Sequence, residues 1–437
     1  MEILIIGNGF DLAHKLPTSY DNFLDFCKKA KAVFTFRETA QFDGFKRIHI
    51  DAFKRMHIDD WKIDESIKDR VVNAFKERIY ERNFQENGQY IPEASTSDKL
   101  FNELKDLLDN NIWLNYFLDR RFHLKKDWID FESEISKVVK ALESARFQIE
   151  CGGSATNVDP HEKEILESIR SASIDNLKSF FNDIKAIDDF TLSLNKDLDR
   201  LIRALEIYLS EFVHNITITK KNIDIENLNP DHILSFNYSD TYERVYGIGK
   251  NIQYDYIHGK ADTTKNVKTC NMVLGIDEYL DDDRKDRDLE FLTFKKYYQR
   301  IYKSTGNAYL SWADTIQREY DEYIRKKQLS YIGQPDSLQS FPFQKRMYLE
   351  TSGFDYPGHT VYIFGHSLDE TDKDVLKRFI CNDNVQTKIF YYRETEDDKS
   401  VLAKLIKNLV KVIGQEELIK RTGGLNKTIE FIPQSLN

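Results

Sequence analysis

The sequence predicts an α/β protein: a parallel sheet of about six strands, wound on both faces by helices and interrupted by large helical insertions. Three observations carry this reading. Six short runs are β-branched or aromatic and end in polar or glycine residues. Several are apolar on consecutive residues, as strands covered on both faces must be. Helical stretches follow the strands, and strand, turn, helix, strand is the signature of a doubly wound, Rossmann-like sheet.

Taken in order, the strands are expected at Glu2–Ile6, Ile233–Phe236, Tyr254–Ile257, Thr360–Phe364, Lys388–Tyr392 and Ile429–Ile432. Helices are expected at Tyr238–Tyr246, Asp372–Cys381 and Val401–Ile413. About 225 residues separate the first two strands. Within them Asp64–Glu86, Asp98–Phe122, Trp128–Phe147 and Ile174–Val213 carry apolar residues at helical spacing. A second mostly helical stretch, Glu278–Met347, opens with the charged run Asp281–Glu290, read as a solvated helix start or loop. Gly152–Asp159 is read as a flexible break. Residues 1–20, 228–277 and 355–437 are thus expected to build the core, with 21–227 and 278–354 as helical insertions.

Composition narrows the functional classes. Of 437 residues, 41% are hydrophobic, enough for a buried core, while Gly (18) and Pro (8) are scarce, which favours long helices over loop-rich architectures. No run approaches the ~18 uninterrupted apolar residues of a membrane span. The start is read as neither signal peptide nor anchor. The net charge of −10 argues against nucleic acid as a partner. Cys27, Cys151, Cys270 and Cys381 form no C-x-x-C pair, so a reducing cytoplasm is the simplest setting. The histidines show no ligand spacing, and no metal site is expected.

Ligands of open α/β sheets bind at the carboxyl ends of the strands, so the residues just past each strand are the place to search. After the first come Gly7-Asn8-Gly9-Phe10-Asp11 and, further on, Leu16-Pro17-Thr18-Ser19-Tyr20. Two glycines let backbone approach a ligand and a helix N-terminus offers N–H groups to phosphate; a tight turn explains them equally. Leu12 replaces the third glycine of the dinucleotide fingerprint. After the second come Asn237-Tyr238-Ser239-Asp240, where Asn237 offers an amide and Asp240 could orient it, or Asn237 or Ser239 could cap the next helix. After the third come His258-Gly259-Lys260: a candidate general base beside a residue that leaves room for a ligand, or a hydrogen-bonded histidine. After the fourth come Gly365-His366-Ser367-Leu368-Asp369-Glu370-Thr371-Asp372-Lys373-Asp374, in which Ser367, Asp369 or Thr371 could be a cap. Each bland explanation suffices alone, but the fold brings four such tips to one crevice.

Three further segments are read more plainly. Asp130 and Glu132 of Trp128-Ile129-Asp130-Phe131-Glu132 fit helix N-terminal acids. Asn271–Glu278 ends an apolar run with two carboxylates, and Phe294–Arg300 is read as core plus a solvated basic face.

ILIIGNGFDLAHKLPTSY, WIDFE, LSFNYSDTYE, IHGK, NMVLGIDE and YIFGHSLDETDKDVL, in order from Met1 to about Leu376, resemble the AbiH family of bacteriophage abortive-infection proteins. Their spacing is also similar to the sirtuin-like NAD-binding superfamily. That resemblance implies that NAD cleavage depends on Asn237 and His258 and makes Asp240 a pocket residue, which in the mechanism expected here would hold the geometry. It further implies a pocket of Gly7, Gly9, Asp11, Ser19, Gly365 and Ser367, to which the strand tips add Asn8, Gly259 and Asp369 as binding residues. Lys15 stands where AbiH-like sequences carry glycine, and the zinc module and longer loop of deacetylating sirtuins are absent, which argues against deacetylation.

The resulting expectation is an antiphage NAD glycohydrolase that acts when triggered, with NAD as substrate, a phage-derived trigger, and room for a homo-oligomer. No arginine is placed for a 2′-phosphate, and NAD and NADP fit alike. The rival is a non-catalytic NAD or ADP-ribose-binding module acting through its helical insertions. A nuclease would have to assemble Asp130, Glu132, Asp277 and Glu278 around a metal.

Overall fold

The computed structural model describes residues 1–40, 96–124, 130–173, 181–276, 289–332, 358–424 and 427–436. Its centre is a six-stranded, wholly parallel open sheet of β1 (Glu2–Ile6), β2 (His232–Ser235), β3 (Gln253–Tyr256), β4 (His359–Phe364), β5 (Val385–Tyr391) and β6 (Ile429–Pro433). The spatial order is β3-β2-β1-β4-β5-β6, so the winding reverses between β1 and β4. Ile3 aligns with His232 on one side and with Val361 on the other.

The consecutive apolar residues of β1 are explained by two covered faces. Ile3 and Ile5 join a core with the helices Ala308–Ile332, Lys373–Ile380 and Ser400–Ile413. Leu4 and Ile6 face the other way, among Phe10, Ile225, Tyr242 and Tyr246. A third core lies in the helical layer and runs from Leu16 through Phe131 and Leu205 to Met272 and Phe294. In it the Phe131 ring is stacked between Tyr20 (4.2 Å) and Phe117 (4.1 Å), and the Tyr208 hydroxyl donates to the Pro17 carbonyl at 2.8 Å. These contacts hold the helical layer against the segment that leaves β1.

Several boundaries differ from expectation. The helix expected from Tyr238 begins only at Thr241, because Ser239 gives its hydroxyl to Asp11 instead of capping a turn. Asp98–Phe122 is two helices, Thr96–Leu108 and Ile112–Leu124, and Ile184–Ile207 continues into a π-helical turn, Tyr208–Val213. The expected break at Gly152–Asp159 is a folded helix connection: Gly153 N–H donates to Gln148, Asn157 N–H to Ser154, Ala155 is buried, and Asp159 caps Pro160–Ser171. The helix expected at Asp64–Glu86 and residues 277–288 lie outside the described residues. All four cysteines are free, and no described helix is long and apolar enough to cross a membrane.

Candidate functional site

The tips of β1 and β4 meet backbone to backbone at the point where the winding reverses. Gly7 N–H donates to Phe364 O (3.2 Å), Gly9 N–H to Gly365 O (2.8 Å), and Phe10 N–H to Gly7 O (2.8 Å). Gly365 has φ +69°, and a Cβ there would lie 2.2 Å from Phe10 N, so only glycine fits both the left-handed backbone and the approach. Gly7 and Gly9 face the same loop from the other side. The space beside these three glycines is taken up by the chain itself.

Asn237 is buried and its Nδ2 donates to Gly7 O at 3.0 Å, which orients the amide from β2 toward the β1 loop. Asp11 is 1% exposed. Its Oδ2 accepts the Ser239 hydroxyl at 2.6 Å, while Oδ1 has no partner among the described residues. Burial pushes this carboxyl up to about 6 against the pull of that hydroxyl.

His258 follows β3 and is 6% exposed. Its Nε2 lies 3.4 Å from Oδ1 of Asp372, and its Nδ1 is buried with no partner among the described residues. The other oxygen of Asp372 lies 3.4 Å from Nε2 of His366. Lys296 completes the group, with Nζ 3.4 Å from Asp372 Oδ1 and 2.8 Å from Glu132 Oε2. The Phe236 ring stands edge-on to both imidazoles, 4.3 Å from His366 and 5.6 Å from His258 between centroids.

The electrostatics follow from burial and one ammonium group. Burial and the Lys296 charge lower His258 to about 4, against the opposing pull of Asp372, so the imidazole is neutral. Burial also opposes ionising Asp372, but Lys296 and the two histidines outweigh it and hold this carboxyl well below the usual range. Burial works to discharge Lys296, yet Asp372 and Glu132 raise it and keep it charged. Glu132 is pushed by burial up to about 7 in spite of Lys296.

The remaining expected residues are placed as follows. Asp240 pairs with His214 (3.0 Å) and Arg244 (3.8 Å), linking the β2 tip to the helical layer. Gly259 has φ +79°, and the room its missing Cβ leaves is filled by the Asn271 carbonyl. Asn8 is exposed and accepts the Thr18 hydroxyl, and Ser19 caps the helix Tyr20–Ala40 by accepting Asn22 N–H. Ser367 and Asp369 are exposed, and Asp369 caps the turn Glu370–Asp372. Asp130 caps Phe131–Glu150 as expected of a helix-start acid. Asp277 and Glu278 lie outside the described residues. Among the described residues no three His, Cys, Asp or Glu side chains are grouped to hold a metal.

Asp372, His366 and Lys296 were not singled out from the sequence as site residues, and Glu132 was considered only as a helix-start acid or as part of a metal-holding carboxylate set. Each lies in a segment noticed there, but as a helix start, a cap or a solvated face. Local pattern signals none of the pairings, because they join β3, β4 and both helical insertions.

The fold and this cluster define a Rossmann-like α/β protein with a neutral histidine held by a buried carboxylate past the ends of its strands. The chain belongs to the family described as bacteriophage abortive infection AbiH, whose model matches residues 3–392. That membership assigns it to phage abortive infection, an antiviral defence role. No curated protein and no solved structure matches the chain.

Proposed function

We propose that this protein is an NAD glycohydrolase of antiphage defence, with His258 as general base. The observation that carries the proposal is the buried Nδ1 of His258, without a partner among the described residues, on a ring whose other nitrogen faces Asp372. Cleavage of the nicotinamide–ribose bond passes through an oxocarbenium-like state, so orientation and an activated water matter more than a strong nucleophile. The C1′–N bond breaks with its electron pair going to the pyridinium nitrogen, which becomes neutral nicotinamide. Water adds to C1′, and its proton passes to Nδ1 of His258. Asn237, oriented by Gly7, positions the ribose or the water.

In this reading the described conformation is a resting one. Gly9 spends its N–H group on the Gly365 carbonyl, so a pyrophosphate could use it only after the β4 loop moves. Such restraint suits an enzyme whose unregulated action would exhaust the host's NAD. The helical insertions are then the surface on which a phage-derived trigger acts.

One observation favours the rival, a binding module without turnover: Asp240 is engaged with His214 and Arg244, a connection from the strand tip into the helical layer. Product analysis separates the two. Purified protein is incubated with NAD, alone and with lysate of phage-infected cells, and products are resolved by chromatography. Equal amounts of nicotinamide and ADP-ribose are expected. NAD that binds but stays intact in every condition supports the module instead.

A further inference from the structure

We propose that Asp372 is the positioning residue of this site: each of its carboxylate oxygens takes the Nε2–H of one histidine, which holds His258 with a bare Nδ1. This inference rests on the proposed role of His258 as a base. The tautomer of His366 is fixed first. Leu368 N–H donates to His366 Nδ1 at 2.9 Å, so that nitrogen is an acceptor and the proton sits on Nε2, facing Asp372 Oδ2 at 3.4 Å. Leu368 takes a left-handed backbone (φ +55°), uncommon for a side chain of its kind, in the turn that directs its N–H back onto the ring.

The second oxygen of Asp372 is left to Lys296 and His258, each at 3.4 Å. An ionised carboxylate only accepts, so Nε2 of His258 carries the proton and Nδ1 keeps its lone pair. Lys296 has a distinct part. Its ammonium offsets the Asp372 charge, which would otherwise draw a second proton onto His258, and Glu132 holds that ammonium in place. The edge-on Phe236 ring packs against both imidazoles, and Val273 N–H anchors the His258 backbone carbonyl at 2.8 Å. A base so prepared is suited to take a proton from a hydroxyl, that of water or of a ribose, without first being discharged at neutral pH.

The test is a long-range ¹H–¹⁵N correlation spectrum of the full chain labelled with ¹⁵N-histidine, the His258 signals being assigned with His258→Gln. The parent is expected to show His258 protonated on Nε2 alone. Asp372→Asn should lose that single tautomer and lower NAD turnover about a hundredfold, while Asp372→Glu should restore the Nε2–H signal. A parent with its proton on Nδ1 overturns the proposal, as does an Asp372→Asn spectrum unchanged at His258. If Asp372→Asn does not fold, the parent spectrum decides by itself. A parent that leaves NAD intact counts against the glycohydrolase reading, not against this one, because the tautomer is read without substrate.

Discussion

Lys296 Nζ lies 2.8 Å from Glu132 Oε2, which joins the second helical insertion to the first beside the carboxylate that faces His258. Both side chains are at most partly exposed, Lys296 at 4% and Glu132 at 22%. Removing one partner of a buried pair leaves the other charge uncompensated, at about 3–5 kcal/mol. Lys296→Met should therefore lose about that much stability in urea unfolding. Adding Glu132→Gln should recover part of it, since one of the two stranded carboxylates is then gone.

The lowered His258 titration makes a signed prediction. Its folded value of about 4 lies below the ordinary 6.5, so above that ordinary value its contribution is full. As pH falls from about 6.5 toward 4, the unfolded chain takes up the proton first and stability is lost. The opposite contributions of Asp11 and Glu132 are present in parent and variant alike. Unfolding free energy should thus fall more steeply from pH 7 to 5 in the parent than in His258→Gln. The acid limb of kcat/KM should lie below pH 6, where an ordinary histidine would already have lost activity.

Gly365→Ala should be severe. The added methyl would meet Phe10 N at 2.2 Å on a backbone with φ +69°, and the left-handed region alone costs a side chain about 1–2 kcal/mol. A loss of more than 2 kcal/mol, or an insoluble product, is expected. Thermal unfolding of Gly424→Ala provides the comparison, because Gly424 shares the positive φ (+74°) but has open space around it.

Lys15 predicts the opposite sign. It stands exposed with φ +59°, a left-handed backbone that favours glycine. Lys15→Gly relieves the left-handed strain while loosening the unfolded chain, for a net gain of about 0.5–1 kcal/mol. A rise in Tm checks it, and a fall would mean that the Lys15 side chain contributes more than its backbone costs.

The sheet was largely legible in the sequence because its strands are buried on both faces and end in glycine or polar residues. Glu2–Ile6 was read to the residue. The position of β1 between β2 and β4 was not, since register and order arise from contacts between distant segments. His258 and Asn237 were visible because each stands just past a strand. Asp372 was not, because an acid at the start of the Lys373–Ile380 helix has a sufficient local explanation. Lys296 was hidden for a related reason: a lysine in a basic, aromatic stretch reads as solvated until its partners from residues 132 and 372 are brought to it. Gly259 was read as leaving room for a ligand, and in the structure the Asn271 carbonyl fills that room.

Under the proposed function, His258 is the base of an NAD-cleaving site that Asn237 orients. The most direct test is NAD consumption by the parent, His258→Ala and Asn237→Ala, each shown to be folded and each assayed alone and with lysate of phage-infected cells. The parent is expected to consume NAD in at least one condition, and both variants to lose about 10²-fold or more of that activity. Variants as active as the parent would contradict this reading.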